Sequence, residues 1–158
     1  MSIFPTRILL ATDRSEEATL AAQTAIDLAN KTGSELHVVY TSRPIYPPAF
    51  YEGNEVDVNV EAYLEEREEL TKIQQGLLDE QVSKIEVAGG SVAQAHFTEG
   101  KPEAEITALA EEIGAGLIVV GSRGLGGMRR AMLGSVSDSV VRHAHCPVMV
   151  VRKEEPTD

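Results

Sequence analysis

Gly121-Ser122-Arg123-Gly124, nine further residues, and then Gly134-Ser135 make up the stretch of this 158-residue chain whose residue types best suit chemistry. The spacing G-x2-G-x9-G-S suits the holding of phosphate oxygens. Glycine lets the backbone approach an anion closely and adopt positive φ, free N–H groups at a helix start point at negative charge, and the Ser135 hydroxyl adds a donor. Local charge agrees: between residues 121 and 145, Arg123, Arg129, Arg130 and Arg142 are set against Asp138, in a chain of formal net charge -11. The same spacing also fits a long strand-to-helix turn in which the glycines only shape the backbone, Ser135 is an ordinary N-cap and the arginines are solvated. Two commoner nucleotide motifs are excluded. A P-loop needs Lys before its terminal Ser, where this chain reads Leu133-Gly134-Ser135, and the pattern G-x-G-x-x-G fails at Arg129.

The elements that must position this loop follow from apolar patterning. Ile8-Leu9-Leu10-Ala11 is a short continuous apolar run ending in Thr12-Asp13, the pattern of a strand buried on both faces. Ser15 offers an N-cap, Glu16 and Glu17 suit a first turn, and alanines with Ile26 recur at helical spacing up to Gly33. Leu36 to Tyr40, Ala95 to Thr98, Leu117 to Val120 and Val148 to Val151 read as the remaining strands, the second of these weaker and more polar. A long helix is predicted from Asp57 to about Ala88, with a bend near Gly76. Another opens at Pro102 and closes at Gly114, and a last one is capped by Ser135 and followed by Pro147. Alternation of strand and helix predicts an α/β fold: one domain, 1–158 with an ordered core of about 5–152, built on an open parallel five-stranded sheet with helices on both faces. Ser42 to Val56, rich in proline and aromatics, reads as a surface connection or a lid over the strand ends.

Composition narrows the function classes. A domain of this length buries roughly 70% of its unfolded surface and needs no staples. The acidic balance, with no run of Lys or Arg, argues against a nucleic-acid partner. Cys146 is the sole cysteine, which excludes an internal disulfide and fits a reducing, cytoplasmic setting; no basic leader and no run of about 18 apolar residues points to secretion or to a membrane.

Several other residues are of types that suit chemistry. Asp13, a carboxylate at a strand end beside the loop, suits a ribose hydroxyl or Mg²⁺, or a plain helix-capping role. His143, His145 and Cys146 crowd a helix end without a second ligand cluster, so no dedicated metal site is read there. His37 and His96 read as strand residues. The run Glu65, Glu66, Glu68, Glu69 reads as a solvated helix face.

Val119-Val120-Gly121-Ser122-Arg123-Gly124 and Leu133-Gly134-Ser135-Val136-Ser137, followed by Val141-Arg142-His143-Ala144-His145-Cys146-Pro147-Val148-Met149-Val150-Val151, resemble the signature of the universal stress protein family. The opening Ile8 to Asp13 with Ser15, and Leu36-His37-Val38-Val39, resemble its first two strands. The resemblance implies a Rossmann-like sheet of order 3-2-1-4-5 and the branch of the family that binds ATP, with ADP or AMP as related occupants and Mg²⁺ only alongside the nucleotide. It implies Gly121, Ser122, Arg123, Gly124, Gly134, Ser135, Val136 and Ser137 around phosphates and ribose, Ala11, Thr12 and Asp13 beside the nucleotide, and Val38 offering backbone groups to the adenine edge. Arg14 departs from the pattern, since many members have glycine there. An apolar last strand at a sheet edge calls for cover, and the resemblance implies a homodimer paired through Val148 to Val151. The function expected is a nucleotide-dependent regulatory or stress-response role toward a protein partner the sequence does not name. The alternatives are a slow ATPase or phosphotransferase using Arg129 or Arg130 with Asp13, and an interaction module without nucleotide.

Overall fold

Strand β1, Arg7–Ala11, is as central as its apolar run predicts, with Ile8, Leu9 and Leu10 all 0% exposed. Burial of each such side chain contributes about 1.5–3 kcal/mol. The computed structural model describes residues 1–44, 59–122 and 133–153. Helix α1, Glu16–Thr32, starts where Ser15 accepts a hydrogen bond from the Ala18 N–H and stops at Gly33, whose φ of 69° only glycine adopts freely. Strand β2, Glu35–Ser42, follows. Helix α2, Val60–Val87, is capped by Asn59 and runs unbroken through Gly76.

Strand β3, Val92–Glu99, is largely exposed, in keeping with its polar sequence. Helix α3, Pro102–Ile113, has Pro at its start and Gly114 at φ 66° past its end. Strand β4 is Leu117–Gly121, helix α4 is Ser135–His143 and strand β5 is Val148–Val151. All strand pairs are parallel and the order is β3-β2-β1-β4-β5, as expected. Most of the Ser42 to Val56 connection, and with it the expected lid, lies outside the described residues.

Side-chain alternation along the strands divides the core into two layers. Ile8, Leu10, Leu36 and Val38 meet α1 and α2 through Ala21, Ala25, Leu78 and Ile85. Leu9, Val39, Ile118 and Val120 meet α3 and α4 through Ile106, Leu109, Ala110 and Val140. The strand order reverses between β1 and β4, so the crevice at their carboxyl ends is where an open α/β sheet receives a ligand.

Candidate functional site

On the β1 side of that crevice, Thr12 is buried, donates its N–H to Val39 C=O at 3.0 Å and its hydroxyl to Gln81 Oε1 of α2 at 3.4 Å. Asp13 accepts the Ser15 N–H on Oδ1 at 2.9 Å, a turn that delivers Ser15 to its capping position. Its Oδ2 has no hydrogen-bond partner among the described residues. Between them Arg14 has φ 68°, a left-handed conformation that explains why glycine suits this position better.

On the β4 side, Gly121 has no positive φ; its need for glycine is close packing. A Cβ there would lie 2.8 Å from Glu17 C and Cβ and 3.0 Å from Ala18 N, so the missing side chain lets the first turn of α1 rest on the end of β4. Ser122, buried, donates its N–H to Val151 C=O at 2.8 Å. The Ser122 carbonyl accepts from Gly134 N–H at 2.7 Å and from the Ser137 hydroxyl at 2.8 Å. These two bonds hold the stretch's beginning and end together.

The geometry gives several of the expected residues structural roles. Gly134, at φ -63°, is the N-cap of α4 and Ser135 its first residue, with no side-chain capping bond. Ser137 is 2% exposed and its one proton serves the Ser122 and Gly134 carbonyls, so its hydroxyl is a clip on the backbone and not a free donor. Val136 packs against the core layer that meets α3 and α4. Arg142 pairs with Asp138 one turn earlier at 3.1 Å, which removes it from the local positive charge. Val38 is 0% exposed and flanked by paired strands on both sides; since Val39 C=O bonds toward β1, alternation turns Val38's own N–H and C=O toward β3. It therefore lies inside the sheet and not at its rim. Arg123, Gly124, Arg129 and Arg130 lie outside the described residues.

What remains at the crevice is a set of donors. The N–H groups of Ser135, Val136 and Ser137 have no acceptor among the described residues, while Asp138 N–H makes the first helical bond to Gly134 C=O. Open first-turn amides with the positive end of the helix dipole behind them attract an anion. Sequence reasoning did not find Gln81 or the clipping role of Ser137. Gln81 gives no signal in the chain, one glutamine among several on a long helix. Among the described residues no group of three or more His, Cys, Asp or Glu is placed to hold a metal, and no helix is long and apolar enough to cross a membrane.

The model of the universal stress protein family matches residues 5–152. A universal stress protein of Methanocaldococcus jannaschii is 35% identical over 150 residues, covering 93% of this chain and 82% of that protein. A universal stress protein solved in complex with cAMP superposes with a TM-score of 0.69 at 21% identity, covering 97% of this chain and 100% of that one, a likeness of fold. A universal stress protein from Archaeoglobus fulgidus in complex with dAMP superposes with a TM-score of 0.58 at 25% identity, covering 95% and 99%.

Proposed function

The chain belongs to the universal stress protein family, and from that premise we propose that it is a single-domain, ATP-binding member whose nucleotide state regulates a surface read by a partner protein. The observation that carries this reading is the set of open amides on Ser135, Val136 and Ser137, at the carboxyl end of β4 where Gly134 N–H bonds the Ser122 carbonyl, and at the close of the full G-x2-G-x9-G-S spacing. In the proposal these amides, with the Gly121 to Gly124 segment and the Ser135 hydroxyl, cradle the phosphates. Ala11, Thr12 and Asp13 border the nucleoside.

Asp13 Oδ2 fits the part of a hard oxygen ligand for Mg²⁺ brought in with the phosphates, since Mg²⁺ takes one or two carboxylates and fills its shell with phosphate and water. Support for an adenine nucleotide comes from the dAMP complex of the Archaeoglobus relative. Binding needs only the cradle and a base slot. Fast hydrolysis needs in addition a placed water and transition-state charge.

Calorimetric titration with ATP, ADP, AMP and cyclic AMP, with and without Mg²⁺, tests the proposal. ATP is expected to bind with unit stoichiometry and to weaken when Mg²⁺ is withdrawn. Gly124→Val is expected to lose most of that affinity while keeping the fold. Absence of heat with all four nucleotides would remove the reading.

A further inference from the structure

Away from the crevice, on the face covered by α3, two histidines meet in a way the nucleotide reading does not use. His37 of β2 is 6% exposed, and its Nδ1 lies 3.0 Å from Nε2 of His96 on edge strand β3. The ring planes are within 21° and the centroids 5.3 Å apart. A centroid separation that exceeds the N···N distance by the two ring radii means the rings meet edge to edge, in plane, as a hydrogen bond requires. The other nitrogen of His37, Nε2, lies 3.2 Å from Glu35 Oε2. Glu35 in turn accepts from Arg7 Nε of β1 at 3.1 Å, and Arg7 also donates to the Ile113 carbonyl at the end of α3.

A carboxylate can only accept, so with both rings neutral His37 carries its proton on Nε2 and offers Nδ1 as an acceptor. His96 must then donate from its Nε2. The direction of the whole chain is fixed, and His96 Nδ1 is left as its one basic nitrogen. We propose that Glu35, His37 and His96 form an acid-sensitive latch that holds edge strand β3 to β2 through the hydrogen bond from His96 Nε2–H to His37 Nδ1 and releases it when both rings carry a second proton.

The charged groups around the pair are Arg7 from β1, Glu35 from β2 and Glu112 from α3. Burial, and next the neighbouring His37, hold the His96 pKa below the ordinary histidine value of 6.5, with Glu112 acting in the opposite sense. One proton on His96 Nδ1 leaves its Nε2–H donating to His37 Nδ1, so the bond survives the first charge. A second proton on the closed pair is barred, because two N–H groups would face each other. The sign follows from linkage: the unfolded or opened chain binds more protons below 6.5, so the latch is at full strength above that pH and weakens as pH falls through it. No third ligand completes a metal site around the pair among the described residues.

Hydrogen exchange of the full chain from pH 7.5 to 5.0, corrected for the chemical rate, tests the latch in the absence of nucleotide, so its result is independent of the binding proposal. Below pH 6.5 opening of β3 relative to β4 is expected to rise by up to about tenfold per pH unit, the limit for uptake of one proton. His96→Gln, whose amide still donates to His37 but cannot titrate, is expected to flatten that dependence. Nitrogen-15 imidazole shifts of the native protein supply a second readout should the variant fail to fold: both rings are expected as Nε2–H tautomers at pH 7.5. Parallel opening of β3 and β4, a pH dependence retained in His96→Gln, or an Nδ1–H tautomer at His37 would each overturn the proposal.

Discussion

Arg14 is a residue whose side chain and backbone pull against each other. At φ 68° a non-glycine residue carries about 1–2 kcal/mol of strain, and glycine gives back about 0.5–1 kcal/mol through its freedom in the unfolded chain. Arg14→Gly is therefore expected to raise the unfolding free energy by about 0.5–1 kcal/mol in urea denaturation. Gly121 sets the opposite case. Its backbone is unstrained but its surroundings are full, and Gly121→Ala is expected to cost about 1–3 kcal/mol by pushing the first turn of α1 off β4. Gly114→Ala is a control of the other kind, with left-handed φ and open space, expected to cost about 1 kcal/mol. From the sequence alone Gly121 reads as a glycine that admits phosphate. A glycine that admits a helix looks the same in a chain, because both jobs need only the absence of Cβ. Arg14, by contrast, is visible from sequence as a departure from the family's pattern, and the structure supplies its physical reason.

At the scale of elements, strands and helices were legible wherever one local signal decided them: the unbroken apolar run of β1, Ser15 before α1, Gly33 and Gly114 after α1 and α3, Pro102 at a helix start. The start of α4 is off by one residue because glycine and serine are both good N-caps, and Gly134-Ser135 offers the two side by side. The position of Val38 depends on β3 pairing beyond β2, a long-range fact that no local pattern carries. The clip made by Ser137 is of the same kind, joining residues fifteen apart. Ser137→Ala removes a buried hydroxyl that serves two carbonyls, and is expected to cost about 1–2 kcal/mol in denaturant unfolding. Ser137→Ala also separates a clip from a phosphate ligand. A clip should lower affinity for AMP and ATP by the same factor, whereas a ligand of the terminal phosphates should spare AMP.

For the molecule as a whole, assembly turns on which backbone groups of β5 are already used. Ile118 donates to Pro147 C=O and Ser122 to Val151 C=O. In a parallel ladder alternate residues face the same neighbour, so Pro147, Met149 and Val151 bond to β4, and Val148 and Val150 turn their N–H and C=O to the free edge. All four residues of β5 are only half-buried, and an apolar edge of that kind is a template for another strand. A second copy of the chain would satisfy it with the same residues from both sides, as a two-fold axis requires. Light scattering of the purified protein at micromolar concentration is therefore expected to give twice the chain mass of 17.0 kDa. Val150→Pro deletes one outward N–H while leaving every bond to β4 in place, the position at which an edge strand tolerates proline. The expected product is a monomer with unchanged far-ultraviolet dichroism. A Val150→Pro protein that still scatters as a dimer would move the interface elsewhere on the surface, whereas one that unfolds would mean that β5 draws part of its stability from its mate.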